Sequence, residues 1–137
     1  MIQRIQSIWL LLASICVFLT LKFSTYVGTN KDLIPSSFLN GIATLPLIFV
    51  TLAVGIVTLI TIFLYKNRKL QLKLTLLAIL LEVGLIFLYY REIQTFIGQG
   101  TFSITAILHA GVFLFLILAA RGISSDNNLI KDSNRLR

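Results

Sequence analysis

Two residues with acid–base chemistry, Glu82 and His109, lie inside otherwise apolar stretches of the sequence. Glu82 is the only charged residue between Leu74 and Tyr90, and His109 is the only histidine in the chain. A carboxyl group beside an imidazole can hold a proton or pass it on. What the two residues do therefore depends on whether the surrounding elements bring them together.

The composition indicates a protein that spans a membrane. Of its 137 residues, 57% are hydrophobic and 12% are charged, whereas soluble domains are about half apolar and roughly a quarter charged. One span needs about 20 apolar residues, so the chain has room for four spans and short connections. We therefore expect a single transmembrane domain over residues 1–137, with an all-α fold class and a four-helix bundle.

The apolar runs predict where the four helices lie. Thr44 and Pro46 are typical of a helix start, and Gly122 is typical of a C-terminal cap. Gly98 and Gly100 predict a turn. The predicted helices cover about residues 5–21, 44–65, 72–90 and 102–120, and a polar cytoplasmic tail covers 122–137. The tail is expected to stay disordered from Ser124 to Arg137. Loose alternation over residues 19–27 is also compatible with a short extended segment.

The second predicted helix carries a line of small polar residues. Thr44, Thr51 and Thr58 are spaced seven apart, and Gly55 lies on the same side. Small residues along one face let two helices approach closely in lipid, so we interpret this line as a packing surface. A polar pathway through the membrane is the alternative interpretation.

The distribution of Lys and Arg predicts the orientation. Lys and Arg next to membrane spans favour the cytoplasmic side. With four spans, both termini and the central turn share one side, which carries nine of the 12 Lys and Arg residues. Four of the nine crowd around the central turn: Lys66, Arg68, Lys69 and Lys73. We expect both termini in the cytoplasm, and we expect these cations to contact the lipid bilayer through its anionic head groups rather than nucleic acid.

The predicted helices place Glu82 and His109 at a similar depth. Glu82 lies about 12 Å before Tyr90, and His109 lies about 10 Å after Phe102, at a rise of about 1.5 Å per residue. A charged side chain in the hydrocarbon costs about 2.5–3.5 kcal/mol, so each residue is expected to face the interior with a partner. Two interpretations remain open: a proton- or cation-responsive pair, or a buried hydrogen bond that fixes the register of two helices.

The sequence offers no other pattern that would carry catalysis. One histidine and one cysteine are too few for a multi-histidine or cysteine-based metal site, and Cys16 has no partner for an internal disulfide. There is no Gly-rich phosphate loop and no plausible Ser-His-Asp set. We expect no enzyme activity and no cofactor.

Three segments together resemble a known family. They are Met1–Ala13, Tyr65–Gln71, and the end of the chain from Leu118 to Ile123 and from Leu129 to Arg137. The set is similar to a family of small four-helix inner-membrane proteins from Bacteroidota, defined only as a domain of unknown function. The resemblance implies a multi-pass protein of the bacterial inner membrane, and it implies no activity, substrate or cofactor.

The leading functional hypothesis is a non-enzymatic accessory, assembly or scaffold subunit of a membrane complex. The alternative is a small oligomeric transporter or proton-coupled carrier that uses Glu82 and His109. Partners would be a larger membrane-protein complex or further copies of the chain. Lys131, Arg135 and Arg137 make the C-terminal segment basic and suit it to an acidic partner or an anionic membrane surface.

The orientation can be tested with reporter fusions. Fusions after Arg137 and within the Tyr65–Lys73 segment should report a cytoplasmic location, because the cations lie there. Fusions near Asn30 should report a periplasmic location. A cytoplasmic signal at Asn30 would mean that the first or the second helix is wrongly assigned.

Overall fold

Four long helices and a small sheet make up the part of the chain that the structure describes. This computed structural model describes residues 2–29 and 36–135, with side chains described at 5–29, 36–97 and 100–127. The helices are α1 (Ile2–Lys22), α2 (Leu45–Phe63), α3 (Arg68–Ile93) and α4 (Ile107–Arg135). The strands are β1 (Tyr26–Thr29), β2 (Ser37–Leu39) and β3 (Ile97–Phe102), and a 3₁₀ turn (Ile104–Ala106) precedes α4. The predicted helical bundle is present, but the all-α prediction missed the sheet.

The four helices form a closed ring in which each packs against its two neighbours. Chain neighbours lie side by side, and α4 returns to pack against α1. All four are long and apolar enough to cross a membrane, which indicates a multi-pass membrane protein. Their outward faces carry exposed apolar side chains such as Phe49, Leu80 and Leu114. Leu10 of α1 and Leu116 of α4 are among the fully buried residues of the core.

The sheet joins the two connections at one end of the bundle, which we call the sheet end. β1 follows α1 and pairs antiparallel with β2, which precedes α2, and with β3, which lies between α3 and α4. Gly100, expected in a turn, lies within β3. The ring of Tyr26 occupies the space where a Cβ of Gly100 would stand, so only glycine fits there.

The opposite end of the bundle, which we call the turn end, is more helical than predicted. α3 begins at Arg68 rather than near residue 72, so Arg68, Lys69 and Lys73 lie on its first turns. Only Lys66 of the four cations lies in the short turn between the two helices. The side chains of Lys66, Lys69 and Lys73 are exposed, which suits contact with head groups or water.

The fourth helix differs most from its prediction. It begins at Ile107 rather than near residue 102, and it continues through Gly122 to Arg135. The predictions of a cap at Gly122 and of disorder from Ser124 onward are therefore wrong for the residues up to Arg135. Gly122 lies against Gln6 of α1, where an added Cβ would come within 2.8 Å of the Gln6 Cγ. Glycine at position 122 therefore allows α1 and α4 to pack closely, and it does not end the helix.

A buried polar cluster explains why α4 continues. Ile123 is fully buried, and Asp126 is 5% exposed. The Gln6 Nε2 donates a hydrogen bond to the Asp126 Oδ2 at 2.8 Å, and the Arg68 Nη1 lies 3.3 Å from the same oxygen. Asp126 thus connects α4 to both α1 and α3. We call Gln6, Arg68 and Asp126 the turn-end cluster.

The role of Gly122 can be tested by comparing two glycine-to-alanine substitutions. Gly122→Ala should lower the free energy of unfolding by about 1 kcal/mol, because overpacking against Gln6 outweighs the helix propensity gained. Gly84→Ala should raise it by up to about 1 kcal/mol, since nothing lies within 4 Å of a Cβ there. Denaturant titration in mixed micelles measures both.

A double-mutant cycle separates close packing from a helix cap at Gly122. In a Gln6→Ala background the side chain that crowds Gly122 is gone, so the penalty of Gly122→Ala should disappear. A penalty that stays the same in that background would show that contact with Gln6 is not the reason for glycine at this position.

Candidate functional site

The structure places Glu82 and His109 in direct contact. The Glu82 Oε1 lies 2.9 Å from the His109 Nδ1. Glu82 is completely buried and His109 is 7% exposed. The two residues therefore form one buried polar unit between α3 and α4, and we call it the Glu–His pair.

The helices bring the pair together in a different way from the one that the sequence suggested. Phe102 lies in β3 rather than at the start of α4, so His109 is the third residue of its helix. Glu82 lies 11 residues before Ile93, where α3 ends. The two side chains still meet, because α3 runs further towards the sheet end than α4 does.

The pair has three arrangements in which its net charge is zero. A carboxylate accepts a hydrogen bond from a protonated imidazole, a carboxylic acid donates one to the Nδ1 of a neutral imidazole, or a neutral imidazole donates one from its Nδ1 to the carbonyl oxygen of a carboxylic acid. A buried net charge is costly, so these are the arrangements that burial favours. In the first two the His109 Nε2 carries a hydrogen, and in the third the Glu82 Oε2 carries one. Both of these atoms are buried without a hydrogen-bond partner.

Tyr89 is a third member of the site, which the sequence analysis did not identify. Its ring stands edge-on to the His109 ring, with centroids 4.7 Å apart. Its hydroxyl faces Thr20 and Thr25 but makes no hydrogen bond of standard geometry. The available signal was spacing, since a residue seven after Glu82 falls on the same face of a helix.

A cavity of about 330 Å³ adjoins the Glu–His pair. It lies between α3 and α4, below the sheet end. Its walls are mostly apolar and aromatic, and His109 and Tyr89 form part of them. The lining residues are Thr25, Ile86, Tyr89, Tyr90, Ile93, Phe102, Ala106, His109, Ala110 and Phe113.

The other residues singled out by the sequence lie elsewhere. Lys66, Lys69 and Lys73 are exposed at the turn end, and Arg68 is paired with Asp126. The side chains of Lys131 and Arg135, and the whole of Arg137, lie outside the described residues. Within the described part of the chain, no group of three or more His, Cys, Asp and Glu residues could hold a metal ion.

The line of threonines on α2 packs in the way that a helix contact requires. Thr51 and Thr58 are fully buried. The Thr51 hydroxyl donates to the Leu47 carbonyl at 2.6 Å, and the Thr58 hydroxyl donates to the Val54 carbonyl at 2.9 Å. These hydroxyls are satisfied within their own helix, which favours packing over a polar pathway.

Comparison with known proteins identifies a family that the chain matches. Residues 2–136 match a family described as a domain of unknown function, DUF4293. No curated protein and no solved structure matches the chain.

The contribution of the Glu–His pair can be measured by substitution. Glu82→Gln should change stability little, because an amide can donate to the Nδ1 of a neutral His109 and leaves no buried charge. Glu82→Ala should destabilise by about 1–3 kcal/mol, because it leaves the imidazole without its partner. Glu92→Ala, at the end of the same helix, is the matched control and should stay within about 0.5 kcal/mol.

A double-mutant cycle with His109→Ala isolates the interaction. Coupling energies between polar groups in membranes average about 0.6 kcal/mol, so a value of this size is expected. Strictly additive effects of the two substitutions would show that the contact contributes nothing to stability.

Proposed function

The chain belongs to the DUF4293 family, and we propose that it is a non-enzymatic accessory, assembly or scaffold subunit of a larger membrane complex. We also propose that it resides in a bacterial inner membrane with both termini in the cytoplasm. Nine cations on one side against three on the other support this orientation, from a total of 12 Lys and Arg. In this arrangement the turn end faces the cytoplasm.

The observation that carries the proposal is the length of α4. α4 has 29 residues, Ile107–Arg135, whereas about 20 residues cross the hydrocarbon of a bilayer. Its last eight residues, 128–135, make roughly two helical turns. They carry Lys131 and Arg135, so α4 presents a basic helical segment beyond the bilayer.

The turn-end cluster supports a role for this segment in docking. Asp126 lies just before it and is held by Gln6 of α1 and Arg68 of α3. The direction in which α4 leaves the membrane is thereby tied to two other helices. A pre-ordered helix loses less conformational entropy on binding than a disordered tail does, which favours a stable subunit contact.

A proton-coupled carrier remains the second proposal, because the Glu–His pair adjoins a cavity. Four helices enclose little volume, so transport would require several copies of the chain. The Thr51 and Thr58 hydroxyls form hydrogen bonds within α2, which weighs against a polar path along this helix. For this reason the subunit role ranks first.

The docking proposal is tested by removing the end of α4 while keeping Asp126. A chain lacking residues 128–137 should insert and fold normally but lose its partners during purification in a mild detergent. Replacing Lys131, Arg135 and Arg137 with Gln should weaken the same association, and the loss should grow with salt because charge attraction is screened. Mass spectrometry of the purified samples measures both effects.

The matched control removes three cations from the same end of the bundle. Replacing Lys66, Lys69 and Lys73 with Gln leaves six cations against three, so orientation should hold while the α4 segment is untouched. This variant should keep its partners. If the shortened chain also keeps all of them, the end of α4 has no role in docking.

A further inference from the structure

We propose that the cavity beside the Glu–His pair binds a lipid-soluble ring compound with a carbonyl oxygen, of the quinone class. This goes beyond the proposed subunit function and does not depend on it. The inference concerns binding alone. It rests on the walls of the cavity, on two polar atoms of side chains that line it, and on the exposed residues among its lining.

The walls favour a flat, apolar ring. Four aromatic side chains line the cavity: Tyr89, Tyr90, Phe102 and Phe113. Aromatic rings stack face to face with an offset or edge to face, and both arrangements suit a planar ligand. The cavity volume of about 330 Å³ is at the small end of ligand pockets, which suits one ring system rather than a large polar molecule.

The polar atoms favour a ligand with a hydrogen-bond acceptor. In two of the three neutral arrangements of the Glu–His pair the His109 Nε2 carries a hydrogen, and that atom has no partner. The Tyr89 hydroxyl is also buried without one. A buried donor without an acceptor is unfavourable, and a ligand carbonyl would remove that penalty at either atom. Both atoms belong to side chains that line the cavity, so a ligand bound there lies against these two residues.

The surroundings indicate that the ligand arrives through lipid. Three residues that line the cavity are also exposed on the outer surface of the bundle: Ile86 at 42%, Tyr90 at 60% and Phe102 at 68%. Two of the three, Ile86 and Tyr90, lie on α3, a helix that is suited to cross a membrane. The lipid-soluble compounds that carry a carbonyl include quinones, which have a ring, and phospholipids, which have an ester. The aromatic walls favour the ring.

Histidine-selective NMR tests the proposal directly, because His109 is the only histidine. A protein without a histidine tag, labelled with ¹⁵N-histidine, gives one pair of ring signals. In nanodiscs of ether-linked phospholipid, which has no ester carbonyl, added decylubiquinone should shift the Nε2 signal in a saturable manner. Tyr89→Phe keeps the ring but removes the hydroxyl, and it should weaken binding by about three- to tenfold, the effect of one hydrogen bond.

A filled cavity provides the matched control. Ala110→Phe should abolish the shift, because Ala110 lines the cavity. Gly84→Phe adds the same side chain at an open position of α3 outside the lining and should leave the shift unchanged. In each variant an unchanged Nδ1 signal before titration shows that the Glu–His pair is intact.

Three results would overturn the proposal. A shift on replacing ether lipid with ester lipid, with none from decylubiquinone, would assign the cavity to a phospholipid. The same shift in Ala110→Phe would place the ligand outside the cavity. The absence of any shift in the unmodified protein, with both lipids and with decylubiquinone, would show that the cavity does not bind a carbonyl compound.

Discussion

Lipid offers no hydrogen-bond partners, and the arrangement of polar groups in this protein follows from that constraint. Every buried donor and acceptor between the helices must be satisfied by the chain itself or by something bound to it. Thr51 and Thr58 meet the requirement within their own helix. Glu82 and Asp126 cannot do so, because a carboxyl group needs a donor from another element. Each of them therefore determines which helices must meet at its level.

The two carboxyl groups act at different levels of the bundle. Asp126 of α4 binds Gln6 of α1 and Arg68 of α3, and so links these three helices at the turn end. Glu82 joins α3 to α4 nearer the sheet end, through His109. Beyond the helices, backbone groups of the two connections satisfy each other in the antiparallel sheet. Between these levels, fully buried apolar side chains such as Leu10 and Leu116 pack in one cluster.

Local sequence signals were sufficient for the helices and insufficient for the features that join them. The apolar runs located four helices because hydrophobicity and length are properties of one segment. The sheet was missed because β1 pairs with β3 across most of the chain, and Gly100 in isolation indicates a turn. The continuation of α4 was missed for a similar reason. Asp126 looks like a solvated tail residue until Gln6 and Arg68 are placed beside it.

In the candidate site too, some features follow from the local sequence and others depend on residues far apart in the chain. Pairing of Glu82 with His109 could be anticipated, since each is costly alone in lipid and their helices are neighbours. The cavity could not, because it is formed by α3, α4 and residues next to the sheet. A contact that only fixed helix register would be complete once the Oε1 and Nδ1 atoms met. Here each partner retains a second buried polar atom without a hydrogen bond, and the histidine forms part of a cavity wall. These unpaired buried atoms favour a binding role for the pair in addition to its structural one.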